Sequence, residues 1–264
     1  MNPRASAAGL ALAALAALAG CAQLPANSER DLPTLSDLSE AERLARVRLE
    51  LASAYFSRGQ NAVALDEVKL ALAARPDFPE ALNLRGLVYA ALGEVRLAEE
   101  SFRRAQQLAP RDGDVLYNHG WFLCNQGRFA EAEALFRQVL ALPGLRDSPR
   151  TQLAWGVCLA RNGQLSESER VLTAAFESDP SNLALALNLA DVLYRRGEWD
   201  RARFYLRRVH AQPEQGNAQS LWLAARVEHR GGHAGARDRF GQELSRRFPQ
   251  SREALLWERG RFDE

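Results

Sequence analysis

Residues 79–110 read PEALNLRGLVYAALGEVRLAEESFRRAQQLAP, and this stretch contains the pattern that decides the fold. Apolar and small residues recur at helical spacing on both sides of Gly93, which is typical of two amphipathic helices joined by a short turn. The small residues Gly86 and Ala98 let the two helices approach closely, and Phe102 fills the space beside them. A proline closes the stretch because it cannot continue the second helix. The stretch therefore predicts a helical hairpin.

The same hairpin recurs along the chain, because glycines equivalent to Gly93 return at an almost constant spacing. These turn glycines are 34, 34, 36, 34 and 34 residues apart: Gly59, Gly93, Gly127, Gly163, Gly197 and Gly231. A small residue stands seven positions before each glycine: Ala52, Gly86, Gly120, Gly156, Ala190 and Ala224. A bulky residue stands nine positions after it: Val68, Phe102, Phe136, Leu172, Leu206 and Phe240.

A period of 34 residues with these features resembles the tetratricopeptide repeat. We therefore predict an all-α fold, a right-handed superhelix (α-solenoid) of six tetratricopeptide repeats with a short C-terminal capping helix. Two positions depart from the usual pattern, since Arg85 and His119 stand where an apolar residue is expected. Two extra residues near Pro143-Gly144-Leu145 predict a longer turn between the third and fourth repeats.

The N-terminus predicts a secreted, lipid-anchored protein. Residues 1–20 combine Arg4 with an apolar Ala- and Leu-rich stretch, which is typical of a signal peptide and too short to span a bilayer. Leu18-Ala19-Gly20-Cys21 resembles the bacterial lipobox, and the resemblance implies that Cys21 becomes the lipidated N-terminus. Because residue 22 is not the aspartate that retains lipoproteins at the inner membrane, the resemblance implies the periplasmic face of the outer membrane.

These features divide the chain into four predicted parts. Residues 1–20 are the signal peptide, and 21–40 are a lipidated N-terminus with a tether of roughly 20–25 Å reach. Residues 41–250 hold the six repeats, and 251–264 form the capping helix over the last repeat.

Composition and charge exclude several classes of protein. Of 264 residues, 47% are hydrophobic and 25% are charged, which excludes a disordered chain and a polytopic membrane protein. With 34 Lys+Arg against 33 Asp+Glu, the net charge of +1 gives no excess of positive charge for a nucleic-acid backbone. We therefore expect no nucleic-acid partner, and membrane attachment through lipid rather than charge.

No catalytic or metal-binding motif stands out, and we predict neither an active site nor a cofactor beyond the covalent lipid on Cys21. His229 and His233 have a spacing that suits metal on one helix, but Gly231-Gly232 lies between them at a turn. The sequence lacks H-E-x-x-H, G-x-S-x-G and a phosphate-binding glycine loop. We expect no small-molecule substrate.

Cys124 and Cys158 lie at nearly the same position along the first helices of repeats three and four. In an oxidising compartment they can pair, but adjacent helices are about 8–10 Å apart and a disulfide needs Cα atoms within about 7 Å. Two readings stay open at this point, a disulfide or two buried small hydrophobic residues.

The first helix of each repeat lines the concave face of such a superhelix. Residues ten, six and three positions before the turn glycine share that face, and we call these positions the inner wall. In repeats one to three the inner wall is mostly apolar and includes the amide of Asn83 and the phenol of Tyr117. The candidate partner-binding groove there comprises Leu49, Phe56, Asn83, Leu87, Tyr117, Asn118 and Trp121. Repeats five and six are expected to give a more polar wall: Leu187, Asp191, Tyr194, Leu221, Ala225 and Glu228.

An apolar groove is typical of a site for a segment of another protein. The alternative is that aromatic residues such as Trp121 and Phe122 only pack between repeats. The lysine and asparagine clamp that binds chaperone tails is not matched, since Lys69 is the only lysine in the chain.

Sequence runs inside the repeats are more specific than the period. Residues 114–128, DVLYNHGWFLCNQGR, resemble a signature of the type IV pilus biogenesis and stability lipoproteins, the PilF/PilW family. Residues 220–223, SLWL, and 248–253, FPQSRE, do so as well. The resemblance implies a non-enzymatic pilotin that binds secretin subunits, promotes their localisation and multimer assembly in the outer membrane, and supports pilus biogenesis and twitching motility.

Two other functions remain open from the sequence. One is a different outer-membrane repeat lipoprotein, an adaptor in β-barrel assembly or a scaffold for cell-wall hydrolases, which the captured partner would reveal. The other is an accessory subunit of a periplasmic enzyme, or a degenerate enzyme, which an activity assay would reveal.

Overall fold

The protein is described by a computed structural model over residues 39–146, 148–211 and 216–263. Contacts between Cα atoms divide the chain into two units, Met1–Arg43 and Leu44–Glu264. The predicted signal peptide 1–20, Cys21 and almost all of the tether lie outside the described residues. Within the described ranges there are thirteen α-helices and no strand, which confirms the all-α prediction.

Twelve helices follow one another as six pairs, and the thirteenth follows the last pair. The pairs are α1 (Glu40–Ser57) with α2 (Asn61–Ala74), α3 (Pro79–Ala91) with α4 (Val95–Leu108), α5 (Gly113–Asn125) with α6 (Phe129–Leu140), α7 (Pro149–Arg161) with α8 (Leu165–Ser178), α9 (Leu183–Arg195) with α10 (Trp199–Val209), and α11 (Ala218–Arg230) with α12 (Ala234–Arg247). The last helix, α13 (Arg252–Glu258), packs against α11 and α12.

The helices begin and end where local chemistry dictates. Side chains at Asp112, Ser148, Asn182 and Asn217 accept hydrogen bonds from free backbone N–H groups at the starts of α5, α7, α9 and α11. Helices α2, α4 and α8 each end two residues before a proline, which has no N–H to continue the backbone ladder.

Small residues allow the two helices of a repeat to pack closely. A Cβ atom placed on Gly86 would lie 2.7 Å from a ring carbon of Phe102, and one on Gly156 would lie 2.5 Å from Leu172. Both glycines stand seven positions before a turn glycine, and both bulky partners stand nine positions after it. The small and bulky positions identified from the sequence are therefore contacts between the paired helices.

The register predicted for the sixth repeat is wrong by one residue. The turn glycine there is Gly232, with φ of +74°, whereas Gly231 ends α11 in the ordinary right-handed region. The small residue is consequently Ala225 rather than Ala224, and the bulky position falls on Gly241 rather than on Phe240. Both glycines of the pair suit a turn, so the turn position is set by where α11 begins.

Gly241 explains how α13 closes the array. A Cβ on Gly241 would lie 2.1 Å from the indole of Trp257, so the ring occupies the space that Val, Phe or Leu fills in earlier repeats. Leu221, Leu244 and Ala254 are fully buried around this contact. The last repeat thus receives its bulky residue from the following helix.

The backbone at Gly232 gives a direct test of the corrected register. An L-residue at positive φ costs about 1–2 kcal/mol, so Gly232→Ala should lower the free energy of unfolding by that amount in urea titration. The control is Gly235→Ala, because Gly235 lies in α12 with no atom within 4 Å of an added Cβ. This control should stabilise the protein by up to about 1 kcal/mol. Equal effects at the two positions would contradict the assignment.

His119 and Arg85, the two departures from the repeat pattern, bind to polar partners on the second helices. Arg85 Nε donates to Ser101 Oγ at 3.0 Å. His119 is only 6% exposed, and its Nδ1 lies 2.9 Å from Gln106 Oε1 while its ring stacks on Phe102. Burial lowers the pKa of His119 from 6.5 to about 4.

The lowered pKa of His119 predicts a loss of stability in mild acid. Between pH 6.5 and 4 the unfolded histidine binds a proton that the folded one does not, so the free energy of unfolding falls as the pH falls. From pH 7.5 to 5 we expect this residue to contribute a loss of about 2 kcal/mol, measured by urea titration.

The control for this prediction is His119→Leu, since Leu189 stands at the equivalent position of repeat five. The variant should lose less stability between the two pH values than the wild type. A residual loss is expected from His210, whose pKa is also lowered by burial. An unchanged pH dependence would contradict the assignment to His119.

Candidate functional site

The inner wall of the first two repeats is apolar and half-buried. Leu49, Phe56 and Leu87 are each partly covered by the core that α1 to α4 form, and Leu87 contacts the neighbouring core cluster as well. Ser53, the remaining inner-wall residue of α1, is exposed. This part of the wall presents aliphatic and aromatic side chains around one open polar position.

Asn83 and Asn118 form an amide contact across repeats two and three. Asn118 Nδ2 donates to Asn83 Oδ1 at 3.3 Å. Each amide keeps hydrogen-bonding groups beyond this bond, because a side-chain amide carries two donor hydrogens and an acceptor oxygen. A pair of this kind can bond to the backbone of an extended peptide.

Tyr117 and Trp121 are brought together with arginines of the following repeat. The guanidinium of Arg150 lies 4.0 Å from the Tyr117 ring centre, and that of Arg161 lies 5.1 Å from the Trp121 ring centre. Such cation–π contacts stabilise by about 0.5–1 kcal/mol at exposed sites. One face of each aromatic ring is therefore covered by a cation, and neither contact was predicted from the sequence.

The same two arginines fasten repeats three and four to each other. Arg150 Nη1 pairs with Asp114 Oδ1 at 3.0 Å, and Arg161 Nη1 donates to Asn125 Oδ1 at 2.6 Å. Each partner pair is separated by 36 residues, so these contacts join corresponding positions of consecutive repeats.

Cys124 and Cys158 lie at the same junction. The structure joins them as a disulfide between α5 and α7, with their Cα atoms 5.8 Å apart. Both side chains are buried. Of the two readings that the sequence left open, the structure has the bonded pair.

Polar side chains lie beside the inner wall in repeats four and five. A cavity of about 190 Å³ there is lined by Val157, Arg161, Asn188, Asp191 and Arg195, among others. Burial raises the pKa of Asp191, although Arg195 lies 3.9 Å from its carboxylate and opposes the shift. Of the charged residues predicted on the inner wall of repeats five and six, Asp191 lies at this cavity.

In repeat six, the residues predicted for the inner wall do not lie on it. Leu221, Ala225 and Glu228 are buried inside the repeat, because the turn glycine is Gly232 and the inner wall moves by one residue. The residues at the inner-wall positions are Trp222, Arg226 and His229. The guanidinium of Arg226 lies 4.5 Å from the ring centre of Tyr194, so the wall continues from repeat five.

Glu228 serves instead as a buried ion-pair partner. Arg203 Nε lies 3.0 Å and 3.1 Å from its two carboxylate oxygens, and His233 Nδ1 lies 3.2 Å from Glu228 Oε2.

His229 stacks on Phe262 instead of facing His233. The two histidines thus have different partners, and within residues 39–146, 148–211 and 216–263 no three His, Cys, Asp or Glu side chains are grouped to hold a metal ion. Within the same ranges, no helix has the length and apolar character needed to cross a membrane.

Comparison with known proteins agrees with the repeat architecture. Two tetratricopeptide-repeat family models match the chain, one over residues 49–114, 88–149 and 117–167 and the other over residues 159–225. The type IV pilus assembly protein PilF of Pseudomonas aeruginosa is 26% identical over 205 residues, which cover 78% of this chain and 81% of that protein.

Solved structures of pilus proteins have the same fold. The crystal structure of PilW, described as a widely conserved type IV pilus biogenesis factor, is 27% identical with a TM-score of 0.76, covering 81% of this chain and 98% of PilW. A structure of Pseudomonas aeruginosa PilF, 23% identical with a TM-score of 0.72, matches 84% of this chain and 100% of its own. The chain therefore belongs to the tetratricopeptide-repeat family, and the predicted resemblance to the PilF and PilW type IV pilus biogenesis proteins is confirmed.

Proposed function

We propose that this protein is a non-enzymatic pilotin, an outer-membrane lipoprotein that binds secretin subunits and promotes their localisation and multimer assembly for type IV pilus biogenesis. The observation that carries the proposal is the similarity to PilF and PilW, which extends over nearly all of the repeats rather than over one motif. The lipobox at Cys21 supports a lipid anchor on the periplasmic face of the outer membrane.

The groove of repeats one to three is the proposed secretin contact. Its aliphatic and aromatic side chains suit apolar residues of a partner segment, and the Asn83–Asn118 pair suits the segment's backbone. Binding there requires no chemical step, since the partner gains only apolar burial and hydrogen bonds.

The junction of repeats three and four supports the groove mechanically. Arg150, Arg161 and the disulfide hold α5 and α7 at fixed positions, so the inner wall is ordered before a partner arrives. A preordered wall loses less conformational entropy on binding than a mobile one. The lipid determines where the protein acts, and the groove determines what it holds.

The binding test uses substitutions that spare the core. Charged replacements of Leu87 and Trp121 would disrupt the groove, but both residues also pack against buried clusters. Ser53→Glu places a charge on the inner wall at an exposed position, and Gln107→Glu places the same charge at an exposed position of α4, on the second helix of its repeat.

We expect Ser53→Glu to weaken binding of the purified periplasmic part of the secretin at least tenfold, and Gln107→Glu to leave it unchanged. The measurement is titration of fluorescently labelled secretin fragment, with thermal unfolding to verify that both variants are folded. Equal affinities for the two variants would reject the groove assignment. Absence of binding by the wild type would favour an adaptor or scaffold for another outer-membrane system.

A further inference from the structure

The C-terminal residues return onto the inner wall of repeat six. After α13 ends, Gly260 adopts a φ of +64° and reverses the chain, and the N–H of Arg261 donates to the carbonyl of Leu256 at 2.9 Å. Phe262 then reaches α11, where it is partly buried. Residues 260–263 thus fold back onto the inner wall of repeat six.

Phe262 occupies a pocket made by two inner-wall residues. Its ring is stacked with His229 at a centroid distance of 4.1 Å and with Trp222 at 5.4 Å. The edge of Trp257 closes the pocket at 5.7 Å. Three flat rings therefore surround one aromatic side chain.

Two arginines of α11 bind the backbone of Phe262 and the side chain of Asp263. Arg226 Nε donates to the carbonyl oxygen of Phe262 at 3.1 Å, and Arg230 forms an ion pair with the carboxylate of Asp263. These contacts have the form of peptide recognition, with a pocket for one side chain, a donor to the backbone and a cation for the following acid.

The contacts at the chain end are also easy to exchange. The side chains of Asp263 and Arg230 are 80% and 43% exposed, and such a surface ion pair contributes little because water screens it. Only the segment after Gly260 must leave for the wall of Trp222, Arg226 and His229 to open. A partner segment with the same chemistry can therefore compete for it.

We propose that the inner wall of repeat six is a second peptide-binding site, which takes a partner segment with an aromatic residue followed by an acidic residue. The chain's own Phe262 and Asp263 occupy this site in the unbound protein and are displaced by the partner. The site lies three repeats away from the proposed secretin contact, and its test involves no secretin, so the two proposals can fail separately.

The experiment uses the tail itself as the probe. A fluorescein-labelled peptide with the sequence of residues 259–264, RGRFDE, is titrated with the full chain and with a chain truncated after Arg261. We expect the truncated chain to bind at least tenfold more tightly, because its pocket is empty. In the truncated chain, Arg226→Ala should abolish binding, whereas Arg207→Ala, an exposed arginine on α10, should not.

A second variant keeps the test valid if truncation harms the fold. Phe262→Ala in the full chain leaves α13 and the turn in place, and it should also bind the peptide more tightly than the wild type. A peptide with alanine in place of phenylalanine should not bind either chain. If both variants are folded, as judged by circular dichroism, and neither binds the peptide better than the wild type, the tail is only a structural cap and the proposal is wrong.

Discussion

Removing the bond between Cys124 and Cys158 should lower the free energy of unfolding by about 4 kcal/mol. The bridge closes a loop with a sequence separation of 34 residues, and a cross-link of this length restricts the unfolded chain by roughly that amount. The effect should be measured by urea unfolding of the oxidised protein, the reduced protein and the Cys124→Ala/Cys158→Ala variant.

The reduced protein is the control that isolates the bond, because it keeps both sulfur atoms in the core. Its unfolding midpoint should fall close to that of the double alanine variant, and both should lie well below that of the oxidised protein. Coincident midpoints for all three samples would show that the bridge does not form in solution, and that the cysteines act as small buried hydrophobic residues.

Glu228→Leu should lower the free energy of unfolding by about 3–5 kcal/mol, since it leaves Arg203 without its main partner. The side chains of Arg203 and Glu228 are only 14% and 9% exposed, and Arg203 Nε lies within 3.1 Å of both carboxylate oxygens. The remaining carboxylate beside Arg203, that of Asp200, is almost fully exposed and compensates poorly. Thermal and urea unfolding of the variant measure the loss.

A double-mutant cycle controls this prediction. Arg203→Leu/Glu228→Leu removes both charges, and an apolar residue four positions before the turn glycine is what repeats three to five have at Leu123, Leu159 and Leu193. The double variant should therefore recover most of the stability lost in Glu228→Leu. Additive losses would show that the two side chains do not interact in the folded protein.

The fold could be predicted because the repeat depends on local packing. A small residue such as Gly86 and a bulky one such as Phe102 must meet wherever two helices cross closely, so their spacing in the sequence reports the hairpin directly. The register of repeat six could not be read in this way, because Gly231 and Gly232 are both glycines. The capping box of Asn217 and Ser220 fixes the start of α11, and it was the available signal for the correct register.

The candidate site was predicted only in part. The inner-wall positions follow from helix periodicity, but the structure buries Cys124 and Tyr194 at two of them and shifts the positions of repeat six by one residue. The contacts of arginines with the Tyr117 and Trp121 rings depend on the relative orientation of consecutive repeats. The spacing of the repeats in the sequence does not determine that orientation. Phe262 was missed because a single aromatic residue in the polar stretch RGRFDE gives no periodic signal, although it fills a pocket that a distant helix provides.

The pilotin function is tested by following secretin multimers and their membrane fraction in cells that lack this gene. If the protein is the pilotin, secretin multimers disappear from the outer membrane and return with the wild-type gene. With Cys21→Ala, multimers should fail to reach the outer membrane, since the lipid is proposed to set the location. Normal multimers at the outer membrane without the gene would contradict the pilotin function.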